Sequence, residues 1–236
     1  MSVMSLLITQ SCAELELAWQ SVAFEKLGIS FARESAKAET TGVITFQGAS
    51  FTFSIQAMPH LEVAKFIFCQ SDTSEFHSAI HFDFGPTVRG GNEVPAIVKV
   101  LLQLGVSLGQ ALQAGAVFWR PGSIMSGFDY YAEAVSQYAD GGAFPALLCM
   151  DFDTSDSAIV QSRGLNWLCG QELVFEHTPM TSNIAMRYVV RLVHDLATKG
   201  CVDQKMTVPG MMVGETVLLT PDLHKKVVSA RLITAN

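Results

Sequence analysis

The chain of 236 residues is 49% apolar and only 16% charged, with a formal net charge of −7 and a mean hydropathy of +0.31. Enough apolar surface is available to build a large core, which excludes a disordered chain, and the negative balance argues against nucleic acid and against an anionic membrane as partners. So little charge leaves apolar surface uncovered, and a homodimer or another protein partner is therefore expected.

The N-terminal stretch MSVMSLLITQSCAE has no Lys or Arg ahead of an apolar run that stops at Ile8. It does not read as a signal peptide, so a cytoplasmic location is the expectation. The run predicts a strand. Ser11 and Glu14 then form a capping box, and Leu15, Trp19, Val22 and Leu27 recur at helical spacing until Gly28. Residues 43–46 and 51–55 alternate around Gln47-Gly48 as a β-hairpin, and residues 78–84 give a further strand. Asn92 and Pro95 open a helix that is apolar nearly all round, with Gly105 and Gly109 spaced for close packing against a sheet. Lys99, Gln103, Gln110 and Gln113 distinguish this stretch from a lipid-spanning helix.

Residues 116–119 predict a buried strand, and residues 128–138 a helix with Phe128, Ala132 and Val135 inward. Residues 146–152 predict another strand. A hairpin over 165–175, closed by Gly170-Gln171, leads to Thr181 or Ser182 as the cap of a last helix. In that helix Ile184, Tyr188, Val189, Leu192, Val193 and Leu196 form an inner stripe ending before Gly200. Strands at 216–219 and 227–232 close the chain. The expected fold is α+β, with mixed, largely antiparallel sheets and helices packed on one face. A hairpin followed by a helical pattern occurs in both the first and last thirds. One compact unit, 1–236, is expected, divisible into related halves 1–140 and 141–236.

Several of these features, taken in order, resemble the bacterial domain-of-unknown-function family 4261. They are the early hairpin running into Ala57-Met58-Pro59, the apolar helix feeding residues 114–119, and the pair from Arg163-Gly164-Leu165 to Glu172-Leu173. The last helix before Gly200 and the segment Val202-Asp203-Gln204-Lys205-Met206-Thr207 complete the likeness, which covers most of the chain. The resemblance implies the fold and no particular activity.

No nucleotide loop or nucleophile elbow is present, and no cofactor or metal is expected. The stretch from Gly122 to Gly127 lacks the Lys and the Ser or Thr that a phosphate loop needs. His77 and His81, four apart on a strand, would lie about 13 Å from each other. Asp151, Asp153 and Asp156 miss the spacing of a calcium loop. Five widely spaced cysteines read as small buried apolar residues.

Two groups remain as candidate ligand-binding residues. Arg187 and Arg191 share the outer face of the last helix with His194 and Thr198; two arginines one turn apart call for an anionic ligand, a partner contact or pairing of Arg191 with Asp195. Trp119 and Arg120 end a strand where clefts form, although Trp119 would serve equally to cap the core. Glu172 can face Arg163 across the hairpin as an ion pair or join them in one cleft. The expected function is a non-catalytic binding or protein-interaction domain. The alternative is an enzyme acting on a small anionic substrate, with Arg120, Arg163 and Glu172 in a pocket walled by Trp119.

Overall fold

The computed structural model describes residues 2–33, 40–58, 60–63, 65–70, 73–176 and 182–234. The fold is α+β, built on two mixed, mostly antiparallel sheets. Strand β1 (Met4–Ile8) lies near the middle of the first sheet and is buried on both faces. Helix α1 (Cys12–Ser21) follows, with the expected capping box at Ser11 and Glu14. A 3-10 turn over Phe24–Leu27 ends at Gly28, whose φ of 68° suits glycine.

The chain then runs through β2 (Ile29–Arg33), β3 (Thr40–Phe46), β4 (Ala49–Ala57), β5 (Lys65–Ile67) and β6 (Ser78–Phe84). In β4, Ala49, Phe51, Phe53 and Ile55 are buried while Ser50, Thr52 and Ser54 stay half-exposed. That period of two puts one face against the core and gives the other a Ser/Thr surface. Helix α2 (Pro95–Ala111) leads to β7 (Ala116–Trp119) and β8 (Ile124–Gly127), completing the order β2-β3-β4-β6-β1-β7-β8-β5, in which, among the described residues, only β5 and β8 run parallel.

Helix α3 (Phe128–Ala139) buries Tyr131, Val135 and Tyr138, whereas Phe128 and Ala132 are half-buried. The stripe is rotated because the Tyr131 hydroxyl reaches into α2 and donates to the Leu102 carbonyl at 2.8 Å. Gly105 and Gly109 are close-packing positions, but mainly against α3. A Cβ at Gly105 would lie 2.5 Å from the Tyr131 hydroxyl, and one at Gly109 2.1 Å from the Phe128 ring.

The second sheet is β9 (Asp151–Asp153), β10 (Ile159–Arg163), β11 (Glu172–Glu176), β12 (Met206–Pro209), β13 (Glu215–Pro221) and β14 (Val227–Thr234), in the order β12-β13-β14-β11-β10-β9. Its parallel pair, β11 with β14, is bridged by α6 (Ser182–Lys199) and the β12–β13 hairpin, the long crossover that such a pair requires. Three sequence expectations are corrected here. Residues 146–149 form a helical turn, α4 (Ala146–Cys149), and only β9 is extended; a short buried apolar run carries no period that separates the two. The partner of β11 is β10, and α5 (Asn166–Cys169) is a helical turn ended by Gly170 at φ 79°. Ile184 is 48% exposed and lies outside the inner stripe, where Ala185 is buried instead. Thr181, the Ser182 side chain, His177 and Pro59 fall outside the described residues.

One hydrophobic cluster contains the helix-facing residues of the first sheet, the apolar stripes of α1, α2, α3 and α6, and the inner face of the second sheet. Trp167 ties the sheets together, stacking on Phe84 at 5.6 Å and meeting Trp119 edge-on at 5.3 Å. On the opposite face of the first sheet, Leu7, Phe76, Ala79, Ala116, Phe118 and Met125 form a smaller cluster beneath Met58, Leu61 and Val63. Among the described residues no helix is long and apolar enough to cross a membrane.

Candidate binding groove on the last helix

Helix α6 turns Tyr188, Val189, Leu192, Val193 and Leu196 toward the core. The 3.6-residue period therefore leaves Asn183, Met186, Arg187, Val190, Arg191 and His194 in a line on its outer side. These six residues form one wall and the floor of a groove of about 610 Å³. Met211, from the β12–β13 loop, and Ala143, from the segment after α3, close it on either side.

Both flanks are fixed to the helix. On the loop side, one guanidinium nitrogen of Arg191 donates to the Gly210 carbonyl at 2.6 Å. Glu215 accepts the Tyr188 hydroxyl and, at 2.9 Å, the Met212 N–H. These bonds hold the Glu215 carboxyl below its usual range, while desolvation and then the Glu215 bond push the Tyr188 phenol up. The proton accordingly stays on the tyrosine. The loop thus projects Met211, Met212 and Val213 between Gly210 and Gly214, with Val213 fully exposed. On the other side, His194 Nδ1 accepts the Phe144 N–H at 2.9 Å. A neutral imidazole that accepts at Nδ1 carries its proton on Nε2, so the ring retains a donor.

Among the described residues no Asp or Glu lines this groove. The expected pairing of Arg191 with Asp195 is not observed. Asp195 bonds Lys199 one turn on, and Arg191 is drawn across to the loop carbonyl. Arg187 is exposed and has no partner among the described residues. Sequence reasoning identified the two arginines and His194 but missed Met186, Val190, Met211 and Ala143. A methionine pair between two glycines was the available signal for the loop.

The other four candidate residues are held in separate environments. Trp119 is 2% exposed and belongs to the large cluster, whereas Arg120 sits 5.7 Å from the Phe118 ring. Successive residues of an extended segment point to opposite faces, so these two cannot wall one cleft from the same side. Arg163 bonds Asp153 on β9 rather than Glu172. Glu172 turns back to accept the Ser162 hydroxyl and the backbone N–H groups of Gly164 at 2.8 Å, Leu165 at 3.2 Å and Asn166 at 3.3 Å. Its role is to cap the turn into α5, a consequence of the helical turn that the sequence did not reveal.

A second polar feature was also missed. Ser5 Oγ lies 2.7 Å from His81 Nδ1, and both residues are buried. Burial first, and the Arg120 charge second, lower the His81 pKa to about 4. A cavity of about 250 Å³ beside it is lined by Thr41, Thr52, Ser54 and Asp83. A base tuned so low is far from the range in which a Ser–His pair catalyses near neutrality, and Ser5 is only 1% exposed. The pair satisfies two buried polar groups on the central strands.

Burial pushes the Cys149 thiol well up and Cys169 up to about 11, so neither is an activated nucleophile. Cys201, by contrast with the sequence expectation, is exposed. Asp153 and Asp156 accept backbone N–H groups of their own turn, and among the described residues no cluster of His, Cys, Asp or Glu is arranged to hold a metal ion. No family model, curated protein or solved structure matches the chain.

Proposed function

We propose that the protein is a non-catalytic binding domain and that the α6 groove is its working surface. One observation carries this reading. A groove of about 610 Å³ combines an apolar floor with Arg187, Arg191 and the His194 N–H, with no carboxylate among its described lining residues, in a chain of net charge −7. Such a surface suits an acceptor-rich, partly apolar occupant. The enzyme alternative draws no support from geometry, because Glu172 and Arg163 are committed to structural bonds and Trp119 is buried. Membership of family 4261, a cytoplasmic location and a homodimeric or partner-bound state belong to the same proposal. Element order supports the first, and the low charged fraction of the chain, 16%, supports the last.

The test is titration with 8-anilinonaphthalene-1-sulfonate, a dye that is both anionic and apolar. Saturable fluorescence enhancement at one site is expected. Arg187→Glu and Met211→Asp should each weaken it about tenfold, a loss of about 1.4 kcal/mol. Leu17→Asp, at a residue 67% exposed on α1, should leave it unchanged. Equal dye binding by folded Arg187→Glu, Met211→Asp and the parent would overturn the proposal.

A further inference from the structure

Resting on that reading, we infer that the occupant of the groove is an acidic amphipathic helix presented by a protein partner. The first reason is shape. From Asn183 to His194 the lining residues follow one face of α6 for three turns, about 17 Å at 1.5 Å per residue. A line of residues spaced three and four apart complements the i, i+3, i+4, i+7 side chains of a second helix. The second reason is backbone chemistry. The floor consists of side chains from a helix whose own backbone is already hydrogen-bonded, so it offers no ladder to an extended peptide. A strand laid there would leave its N–H and C=O groups without protein partners, whereas a helix satisfies its own.

The third reason is the polarity of the rim. Arg187, the remaining Arg191 N–H groups and His194 Nε2–H all donate, so the occupant must bring acceptors, and carboxylates provide them with charge. A protein of net charge −7 repels an acidic partner over most of its surface. This local cationic stripe gives that partner one favourable approach. Two arginines are too few to carry nucleic-acid binding, which depends on many phosphate contacts. The apolar part is adaptable: Met186 and Met211 flank the floor, and Met212 and Val213 extend it outward, 70% and 107% exposed. Methionine-rich surfaces accommodate varied apolar side chains on a helical ligand.

The experiment uses the full chain and a labelled, helix-forming model peptide of about 15 residues, with leucines at i, i+3, i+4 and i+7 and glutamates between them. Saturable binding measured by anisotropy, with displacement of the bound dye, is expected. A scrambled peptide of identical composition should bind at least tenfold more weakly. Arg187→Glu should weaken the acidic peptide about tenfold and regain binding to a version with lysines facing that position. If the dye binds but the peptide neither binds nor displaces it, the helix inference falls and the binding reading stands. If neither binds, the binding reading itself falls. Equal affinity for the ordered and scrambled peptides overturns the helical mode. A parent dimer that Arg187→Glu or Met211→Asp converts to monomer identifies the occupant as a second copy, which also overturns it.

Discussion

Replacing His81 with Gln should remove a pH-dependent component of stability. In the folded protein the imidazole is 7% exposed, bonded to Ser5 Oγ at 2.7 Å and close enough to Arg120 to feel its charge. Desolvation and that charge both disfavour the imidazolium, and its pKa falls from 6.5 to about 4. The unfolded chain therefore takes up a proton near pH 6.5 that the folded chain refuses until about pH 4. Stability contributed by the neutral ring is complete above pH 6.5, declines as pH falls through that window, and is gone below it. The displacement corresponds to about 3 kcal/mol, lost at a slope approaching about 1.4 kcal/mol per pH unit. Urea unfolding at intervals from pH 8 to pH 4 should show this decline in the parent and a much flatter curve in His81→Gln. Arg120→Gln, which removes the second cause, should narrow the window from its acid end. Glu14, Asp153, Glu215 and Asp222 have lowered pKa values, so their contribution fades only below the ordinary carboxylate range and persists in every variant. A parent curve that is flat between pH 6.5 and 4.5, or one that His81→Gln reproduces, would refute the reasoning. An imidazole NMR titration with a midpoint above pH 6 would do the same.

Glu172→Gln should cost about 2 kcal/mol by replacing a charged acceptor of four hydrogen bonds with an amide. It should not alter dye binding, and unchanged stability with lost binding would return Glu172 to a ligand role. Gly122→Ala should destabilise by about 2 kcal/mol, because a Cβ there would lie 2.5 Å from the Cys149 carbonyl oxygen and 2.7 Å from the Met150 Cα. Both obstacles are backbone, so an unshifted urea midpoint would show that the junction between the two sheets yields more readily than its packing implies.

Amphipathic periods over several turns, and alternation bounded by turn residues, were enough to place α1, α2, α3, α6, the β3–β4 hairpin, β6, β13 and β14, while β7 was read from a short, wholly apolar run. The residues themselves specified the helices and the β3–β4 hairpin, because an apolar face recurs along each with its own period, whereas β7 is buried at all four of its positions and has no such period. Where the apolar run was short, around residues 146–152 and 165–169, no period existed, and tertiary burial chose a helical turn. The arginine stripe of α6 was legible for the same reason as its core stripe. That stripe became a groove only because the β12–β13 loop and the segment after α3 came to lie on either side of it. Glu172, Arg163 and Ser5 show the remaining limit. The sequence named their charges and hydrogen-bonding atoms, but the partner of each lies across a turn or on another strand. Only the folded chain decides which of the chemically compatible groups come within hydrogen-bonding distance.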